Sequence, residues 1–575
     1  MSRPLVQTET APAQRTHLWV FAGAVLIALN LAVVKVGPWT EGLADTTRFA
    51  FLTSAYAAAG VALLLTLAYL RRSASGPGVV AWILLAGLLM RLLAFSEPPR
   101  FESDFHRYLW DGAVTANGYN PYTIRPRDVL EHRAERLPQD PAFAALVEAG
   151  RPTLQNINHP YLTTIYPPVA QGAFALVYWI KPFSTDSLRG IFLAAELVLI
   201  LLLAAMLRSL QLPLHWLALY WWNPIVVKEF YVSAHMDGLA ALLAVAALAA
   251  VVWRWRYSGI VLLGLAVGVK LWPVVLAPVL LRYGARTWRQ TLGGAVLLAG
   301  VAGIVTWPLL TSWGHESESG VNAYAHQWIN NAGFFSALHW TAQTLHEHGL
   351  LWSSDLHQFA RRATMVLVLL WMLFLSRRRL PDATSVARWS MMAVGGLLVL
   401  SPTQFPWYYT WVLPFLVLVP ARALVLYTAL LPLYHLHYDY PWVVWIEHLP
   451  VWLLIGWATW RSWSGRTSEV RATQPDDDYT PPPGFRIAVV IPALNEERAI
   501  GSVLAAIPAW VNQVVVADNG STDRTAAVAH DAGATVVHEL HRGYGAACLA
   551  GIAALESPDI VVFLDGDFSD HPQEM

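Results

Sequence analysis

Along residues 1–463 long apolar runs alternate with short polar joints, and a run of about 20 apolar residues is what crosses a bilayer as a helix. By that measure spans lie near 18–36, 49–70, 79–95, 164–180, 190–208, 214–230, 236–253, 259–281, 291–311, 363–376, 388–402, 406–420, 423–438 and 442–460, a count of 12 to 14. Pro224, Pro406, Pro414 and Pro432 interrupt the sixth span and the late ones. Helices broken at membrane depth belong where the backbone lines protein or water rather than lipid. Two hydrophilic stretches, 96–163 and 312–362, separate the runs and share one membrane face. The clusters Arg71/Arg72, Lys181/Arg189, Arg282/Arg286/Arg289, Arg377/Arg378/Arg379 and Arg461/Arg466/Arg471 fall on the other face of a 14-span arrangement. Basic joints mark the cytoplasm, so the two hydrophilic stretches are expected outside. Arg254 and Arg256 run against that pattern.

After Trp463 the pattern changes. Residues 464–485 are polar, with an acidic triplet and three consecutive prolines, and read as a linker that is semi-rigid at its proline end. From Arg486 short apolar runs alternate with helical spacing: strands at 487–492, 513–518, 535–540 and 560–567, helices at 497–510, 521–533 and 542–556. Alternating strand and helix predicts a parallel, doubly wound α/β sheet, whose ligands bind at the carboxyl ends of strands. The domains expected are a polytopic helical membrane domain over 1–463, the linker, and a partial α/β domain over 486–575.

Composition agrees with lipid as the solvent: 56% of residues are hydrophobic and 13% charged, at a mean hydropathy of +0.42, against about 25% charged in an average soluble domain. The net charge of -1 argues against a nucleic-acid partner. A single cysteine, Cys548, excludes an intramolecular disulfide and a CxxC zinc site. The first apolar run, Leu18 to Val34, lacks a small-x-small cleavage site and precedes many more spans, so it does not read as a cleavable signal.

Chemistry concentrates in a few places. In the segment after the third span, Glu102, Asp104, His106, Arg107 and Asp111 fall within ten residues, with Arg91 just before them. Sugar transfer from a lipid phosphate needs a carboxylate to take the acceptor proton and cations to hold the phosphate. NHPYLTTIYPP (158–168) places His159 and Tyr166 before a span; WNPIVVKEFYVSAHMDG (222–238) buries Lys228, Glu229, His235 and Asp237; AVGVKLWP (266–273) puts Lys270 mid-span; SPTQFPWYYTW (401–411) is a polar, aromatic break. Ionisable groups at membrane depth line a site or pair with one another, and the set points to a polar cavity opening outward. In the α/β part, Glu496, Asp518, Asp565 and Asp567 all fall at strand ends. Two carboxylates two residues apart, as in Asp565-Gly566-Asp567, suit one Mg²⁺ or Mn²⁺ on a nucleotide-sugar diphosphate.

SDFHRYLWDG (103–112), NHPYLTTIYPP and WNPIVVKE resemble, over roughly 80–420, the GT-C polyprenyl-phosphate-mannose-type transferases of bacteria. The resemblance implies a membrane hexosyltransferase that takes a polyprenyl-phosphate sugar, with Asp104 as catalytic base. It implies Arg107 and Lys270 for the lipid phosphate, and Asp111, His159, Lys228 and His235 for phosphate or acceptor. IPALNEE, DNGSTD, RGYGAA and FLDGDFSDHPQEM, over 486–575, resemble glycosyltransferase family 2, a GT-A fold, nearest the polyprenyl-phosphate mannosyl- and glucosyltransferases. That resemblance implies a nucleotide sugar held by Pro492, Leu494, Glu496, Asp518 and Asp565, and a metal held by Asp565 and Asp567. Relatives continue well past the eight residues that follow Asp567 here, so only the donor half of that fold is expected, completed by a second chain or left inactive. Together the two parts imply a cell-membrane protein with a cytoplasmic C-terminal domain. The readings to be weighed against it are a flippase for lipid-linked sugar and a scaffold with a non-catalytic α/β half.

Overall fold

The computed structural model describes residues 13–70, 76–311, 319–326, 328–352, 355–468, 485–568, 570 and 572. Among them eight helices are long and apolar enough to cross a membrane. They are α1 (Ala13–Trp39), α2 (Asp45–Leu70), α3 (Pro77–Ala94), Thr185–Ser209, Trp288–Thr311, Leu356–Leu375, Ala383–Leu400 and Val443–Ser468. The chain is built as a multi-pass helical membrane protein. Contacts divide it into two units, Met1–Gly456 and Trp457–Met575. Most of the expected linker, 469–484, and the basic residues Arg71, Arg72 and Arg471 lie outside the described residues.

The expected 12 to 14 spans reduce to these eight full-length helices plus shorter apolar pieces, and the physical reason is burial. Residues 214–230, read as one span, form a 3-10 turn Leu214–Trp216, short helices Leu217–Trp221 and Pro224–Val227, and a π-turn Lys228–Val232. From Leu217 through Gly238 every residue is buried, so this irregular backbone meets protein and never needs a lipid-facing ladder. The run 406–438 is likewise broken into Pro406–Trp411, Leu413–Leu418, Arg422–Val425, Tyr427–Leu430 and Leu431–Leu436. The run 259–281 also divides: its helix Arg256–Val269 stops at Lys270, whose backbone is extended (φ -155°, ψ 145°). Lys270 therefore sits at a break between elements and not in the middle of a span.

The hydrophilic stretch 96–163 is folded. It carries α4 (Asp104–Ala116) and the helix Pro141–Gln155, which share an apolar cluster of Trp110, Val114, Ile124, Phe143, Leu146 and Leu154. The other face of α4 packs on the helix Pro168–Ile180. Gly112 permits that approach, since a Cβ there would lie 2.4 Å from the Phe174 carbonyl oxygen. Asp104 opens α4, where the unpaired N–H groups of the first turn favour a negative charge.

The second unit holds a parallel sheet of β1 (Ile487–Ala493), β2 (Gln513–Asp518), β3 (Thr535–His538) and β4 (Ile560–Phe563), in the order β3-β2-β1-β4. Strand β1 is buried along its whole length, as a central strand covered on both faces must be. Ala493 pairs with Asp518, so β1 and β2 end level with each other.

Candidate functional site

In the membrane unit Asp104 faces a cavity of about 400 Å³. It is lined by the polar side chains of Asp104, Lys270, Tyr324, Arg361 and Tyr408 and by apolar ones that include Val274, Val275, Val368, Met372 and Leu397. The Asp104 side chain keeps 24% of its surface exposed, and its Oδ1 accepts a 2.7 Å hydrogen bond from Asn158 Nδ2. Lys270 Nζ donates to Asp237 Oδ1 at 2.6 Å and lies 4.8 Å from the Tyr408 ring centroid and 5.2 Å from that of Trp411. The cation is held over aromatic faces that leave part of it open to the cavity. Tyr324 and Tyr408 share a hydroxyl–hydroxyl bond of 2.9 Å.

Behind Asp104 lies a fully buried ionic cluster. Glu229 Oε2 is 3.1 Å from His235 Nδ1, Glu229 Oε1 is 3.1 Å from Lys228 Nζ, and His235 Nε2 is 4.0 Å from Asp104 Oδ2. The His235 ring stacks on Trp407 at 4.0 Å. Glu102 stands beside these groups; burial lifts its carboxyl to about 7, against the lowering pull of Lys228 and His235.

The remaining expected residues build the frame. Arg107 Nη2 donates to the carbonyls of His159 and Leu162, both at 3.1 Å, and Nη1 lies 3.9 Å from Asp111. Its guanidinium thus ties the NHPYL segment (158–162) to α4 and does not line the cavity. Asp111 is buried under Arg107 and Gln171, and burial raises its carboxyl despite Arg107. His159 is exposed, with left-handed backbone (φ 48°). Lys228 is committed to Glu229 and also stays off the cavity wall. Arg91, expected beside Asp104, is instead wholly buried on Glu196, with Nε–Oε2 at 2.9 Å, and its guanidinium sits 3.6 Å over the Trp221 ring. Sequence reasoning missed Arg361, which lines the cavity and donates to the Trp328 carbonyl at 2.7 Å. The signal was there: a basic pair, Arg361 and Arg362, in the first turns of an apolar helix.

In the second unit the acidic strand ends share one edge. Asp518 ends β2, with its Oδ2 3.1 Å from His538 Nδ1. The Glu496 N–H donates to Thr525 Oγ1 at 2.7 Å, which fixes the turn after β1. A Cβ on Gly566 would stand 3.4 Å from Glu496 Cγ and 3.5 Å from Ala493 Cβ, so the Asp565-Gly566-Asp567 turn lies against the end of β1. Tyr544 Oη donates to Asp565 Oδ1 at 3.2 Å. Asn519 accepts from the Gly543 N–H at 2.7 Å and so holds the GYG segment beside β2, where Gly543 (φ 147°) adopts a conformation open to glycine. Pro492 is buried and Leu494 is 43% exposed. Among the described residues no three His, Cys, Asp or Glu groups converge as a metal cage. Two carboxylates fit a Mg²⁺ or Mn²⁺ that takes its other oxygens from a diphosphate and water.

Comparison with known proteins places both parts. Residues 164–402 match the model of glycosyltransferase family 87, a GT-C type, and residues 488–575 match that of glycosyl transferase family 2. Both are glycosyltransferase families. The first match falls inside the 80–420 region that carries the GT-C resemblance, and the second covers the α/β unit. An uncharacterized glycosyltransferase of Mycobacterium tuberculosis (strain ATCC 25618 / H37Rv) is 51% identical over 86 residues, which is 15% of this chain and 38% of that protein. An uncharacterized protein of Methanocaldococcus jannaschii is 40% identical over 93 residues, 16% of this chain and 38% of its own. Glucosyl-3-phosphoglycerate synthase of M. tuberculosis is 41% identical over 102 residues, 16% of this chain and 31% of that protein. Its crystal structure with Mn²⁺, uridine diphosphate and glucosyl-3-phosphoglycerate aligns over 16% of this chain and 36% of that one, at 41% identity and a TM-score of 0.15. The chain thus spans less than two fifths of the length of these curated relatives.

Proposed function

We propose that the membrane unit transfers a hexosyl group, mannose being the first sugar to test, from a polyprenyl-phosphate carrier to an acceptor at the extracytoplasmic face of the cell membrane. The observation that carries this is one cavity lined both by charged and hydroxyl groups, Asp104 and Lys270 among them, and by apolar side chains. A ligand with an anionic head, a sugar and an isoprenoid tail matches such a cavity. In the reaction Asp104 takes the proton of the acceptor hydroxyl as its oxygen attacks the anomeric carbon, and the lipid phosphate departs with the bonding pair. Lys270, with Arg361, Tyr324 and Tyr408 around it, stabilises the charge that grows on the departing phosphate. Of the residues expected on the phosphate, Lys270 lines the cavity and keeps that role in this proposal, while Arg107 and Lys228 stand off it and Arg361 takes their place.

Binding tests this directly. The purified full chain should retain undecaprenyl phosphate in preference to undecaprenol. Lys270→Ala should weaken retention of the phosphate by about tenfold, the worth of one charge-assisted contact, and leave the alcohol unaffected. Equal retention of both lipids by the wild-type chain would contradict the reading.

The α/β unit, in this proposal, faces the cytoplasm and binds a nucleotide sugar from which the polyprenyl-phosphate sugar is made. Asp565 and Asp567 would hold the divalent metal, whose charge the diphosphate needs as it leaves. Pro492, Leu494, Glu496 and Asp518 would form the floor for base and ribose. Calorimetry with uridine diphosphate and Mn²⁺ as probe should show metal-dependent binding by the full chain. Asp565→Ala or Asp567→Ala should weaken it by about tenfold or more, since even partners behind a metal's own ligands carry that much. Binding that ignores both the metal and these substitutions would overturn the assignment.

A further inference from the structure

The buried cluster behind Asp104 has no part in the reaction as described. Its backbone is irregular in a specific way. Residues six apart on an α-helix are rotated by about 240° and point to different faces. Here the π-turn Lys228–Val232 and left-handed Ala234 (φ 56°) fold the chain back, so that the His235 N–H donates to the Glu229 carbonyl at 2.8 Å. The two side chains are thereby brought together, with His235 Nδ1 3.1 Å from Glu229 Oε2. Lys228 neutralises Glu229, and Tyr56 Oη donates to Glu229 Oε1 at 3.4 Å. An ionised carboxylate only accepts, so Nδ1 carries the hydrogen and Nε2 keeps its lone pair. His235 Nε2 is buried without a hydrogen-bond partner, 4.0 Å from Asp104 Oδ2. A pairing that served stability alone would satisfy that nitrogen, because a buried unpaired polar atom is costly.

We propose that His235 and Glu229 form a proton relay behind Asp104, with Lys228 fixing the charge of Glu229; this rests on the reading of Asp104 as the base. The acceptor oxygen bonds to the anomeric carbon, the carbon–oxygen bond to the phosphate breaks with its electron pair on the phosphate, and the hydroxyl proton passes to Asp104 Oδ2. Asp104 then hands that proton to His235 Nε2. The imidazolium so formed keeps its Nδ1–H on Glu229, whose negative charge stabilises it, and Asp104 is again a carboxylate. As the product leaves, the proton returns from Nε2 through Asp104, whose side chain is partly exposed, to solvent. The 4.0 Å gap is of the kind that tightens once substrate is bound. His235 and Glu229 are positioning residues in this scheme, since neither touches the substrate.

The test uses the full chain in proteoliposomes with synthetic undecaprenyl-phosphate mannose as donor, and follows mannose released to water or transferred to octyl mannoside. Glu229→Gln and His235→Gln should each lower kcat by about 10²-fold with the donor KM unchanged. Glu229→Asp should restore most of the turnover lost in Glu229→Gln, because it returns the charge. Wild-type kcat in Glu229→Gln, alongside an inactive Asp104→Asn, would overturn the relay and leave the base in place. A loss of kcat accompanied by a rise in donor KM and not rescued by Glu229→Asp would make the cluster structural and also overturn it. Wild-type turnover in Asp104→Asn would remove the base, and the relay with it.

Discussion

Asp104→Asn is expected to stop sugar transfer while the protein still inserts, accumulates and retains the lipid donor. The substitution keeps the side chain's size and an oxygen for Asn158 Nδ2, which bonds Asp104 Oδ1 at 2.7 Å. What it removes is the proton acceptor. Loss of a general base lowers a rate by about 10²–10⁴-fold, and the effect should fall on kcat because the phosphate contacts, at Lys270 and Arg361, are untouched. Asp104 also opens α4, where a charge at the first turn contributes only about 0.3–1 kcal/mol. The stability change should therefore be small beside the kinetic one. The pair of measurements, turnover and donor retention, separates these contributions.

Arg91→Ala should have the largest effect on stability. Arg91 and Glu196 are both wholly buried, joined at 2.9 Å through Nε and by a second bond from Nη2, and Arg91 also donates to the Gly87 and Trp221 carbonyls. Tyr231 Oη donates to the same glutamate. Removing one partner leaves a charge in an apolar interior, at a cost of about 3–5 kcal/mol. We expect Arg91→Ala to accumulate poorly, and its thermal midpoint in detergent to fall well below that of the wild-type chain. Replacing both partners, Arg91→Met with Glu196→Leu, should recover much of the loss, since an apolar pair of similar volume avoids the unpaired charge. A double variant as poor as the single one would show that the ion pair itself, and not the stranded charge, holds this region.

The α/β unit was the most legible part of the sequence. Its strand at 513–518 is found as read, and the strand read at 487–492 extends by one residue to Ala493. Apolar runs this short, bounded by turn residues, read as strands because a helix needs more length. The helices there are shorter than expected, Ile500–Ala506 for 497–510 and Thr525–Asp531 for 521–533; their expected first residues are used in turns, the Glu497 N–H donating to Asp523 and the Ser521 N–H to Asp518.

The membrane unit was less legible, for one physical reason. Hydropathy registers that a run is apolar, and not whether lipid or protein surrounds it. Residues 217–230 and 406–418 satisfy the first condition and are buried in protein, so their prolines and turns persist where a lipid-facing span would be a continuous helix. The site was legible as a set of residue types, and its pairings were not. Asp104 with His235, and Arg91 with Glu196, are separated by more than a hundred residues in each case. Nothing local in the sequence tells Arg107, which frames the site, from Lys270, which faces the cavity. Arg361 escaped because its helix begins seven residues before the span read from hydropathy, at Leu356 rather than 363.

The central claim is that the membrane unit draws its sugar from a lipid phosphate. The most direct measurement supplies undecaprenyl-phosphate [¹⁴C]mannose to proteoliposomes of the purified chain, with octyl mannoside as acceptor and no nucleotide sugar present. The account predicts that label leaves the lipid for the acceptor with the wild-type chain and stays on it with Asp104→Asn. Label that moves equally with both, or transfer that occurs only when a nucleotide sugar is supplied, would contradict it.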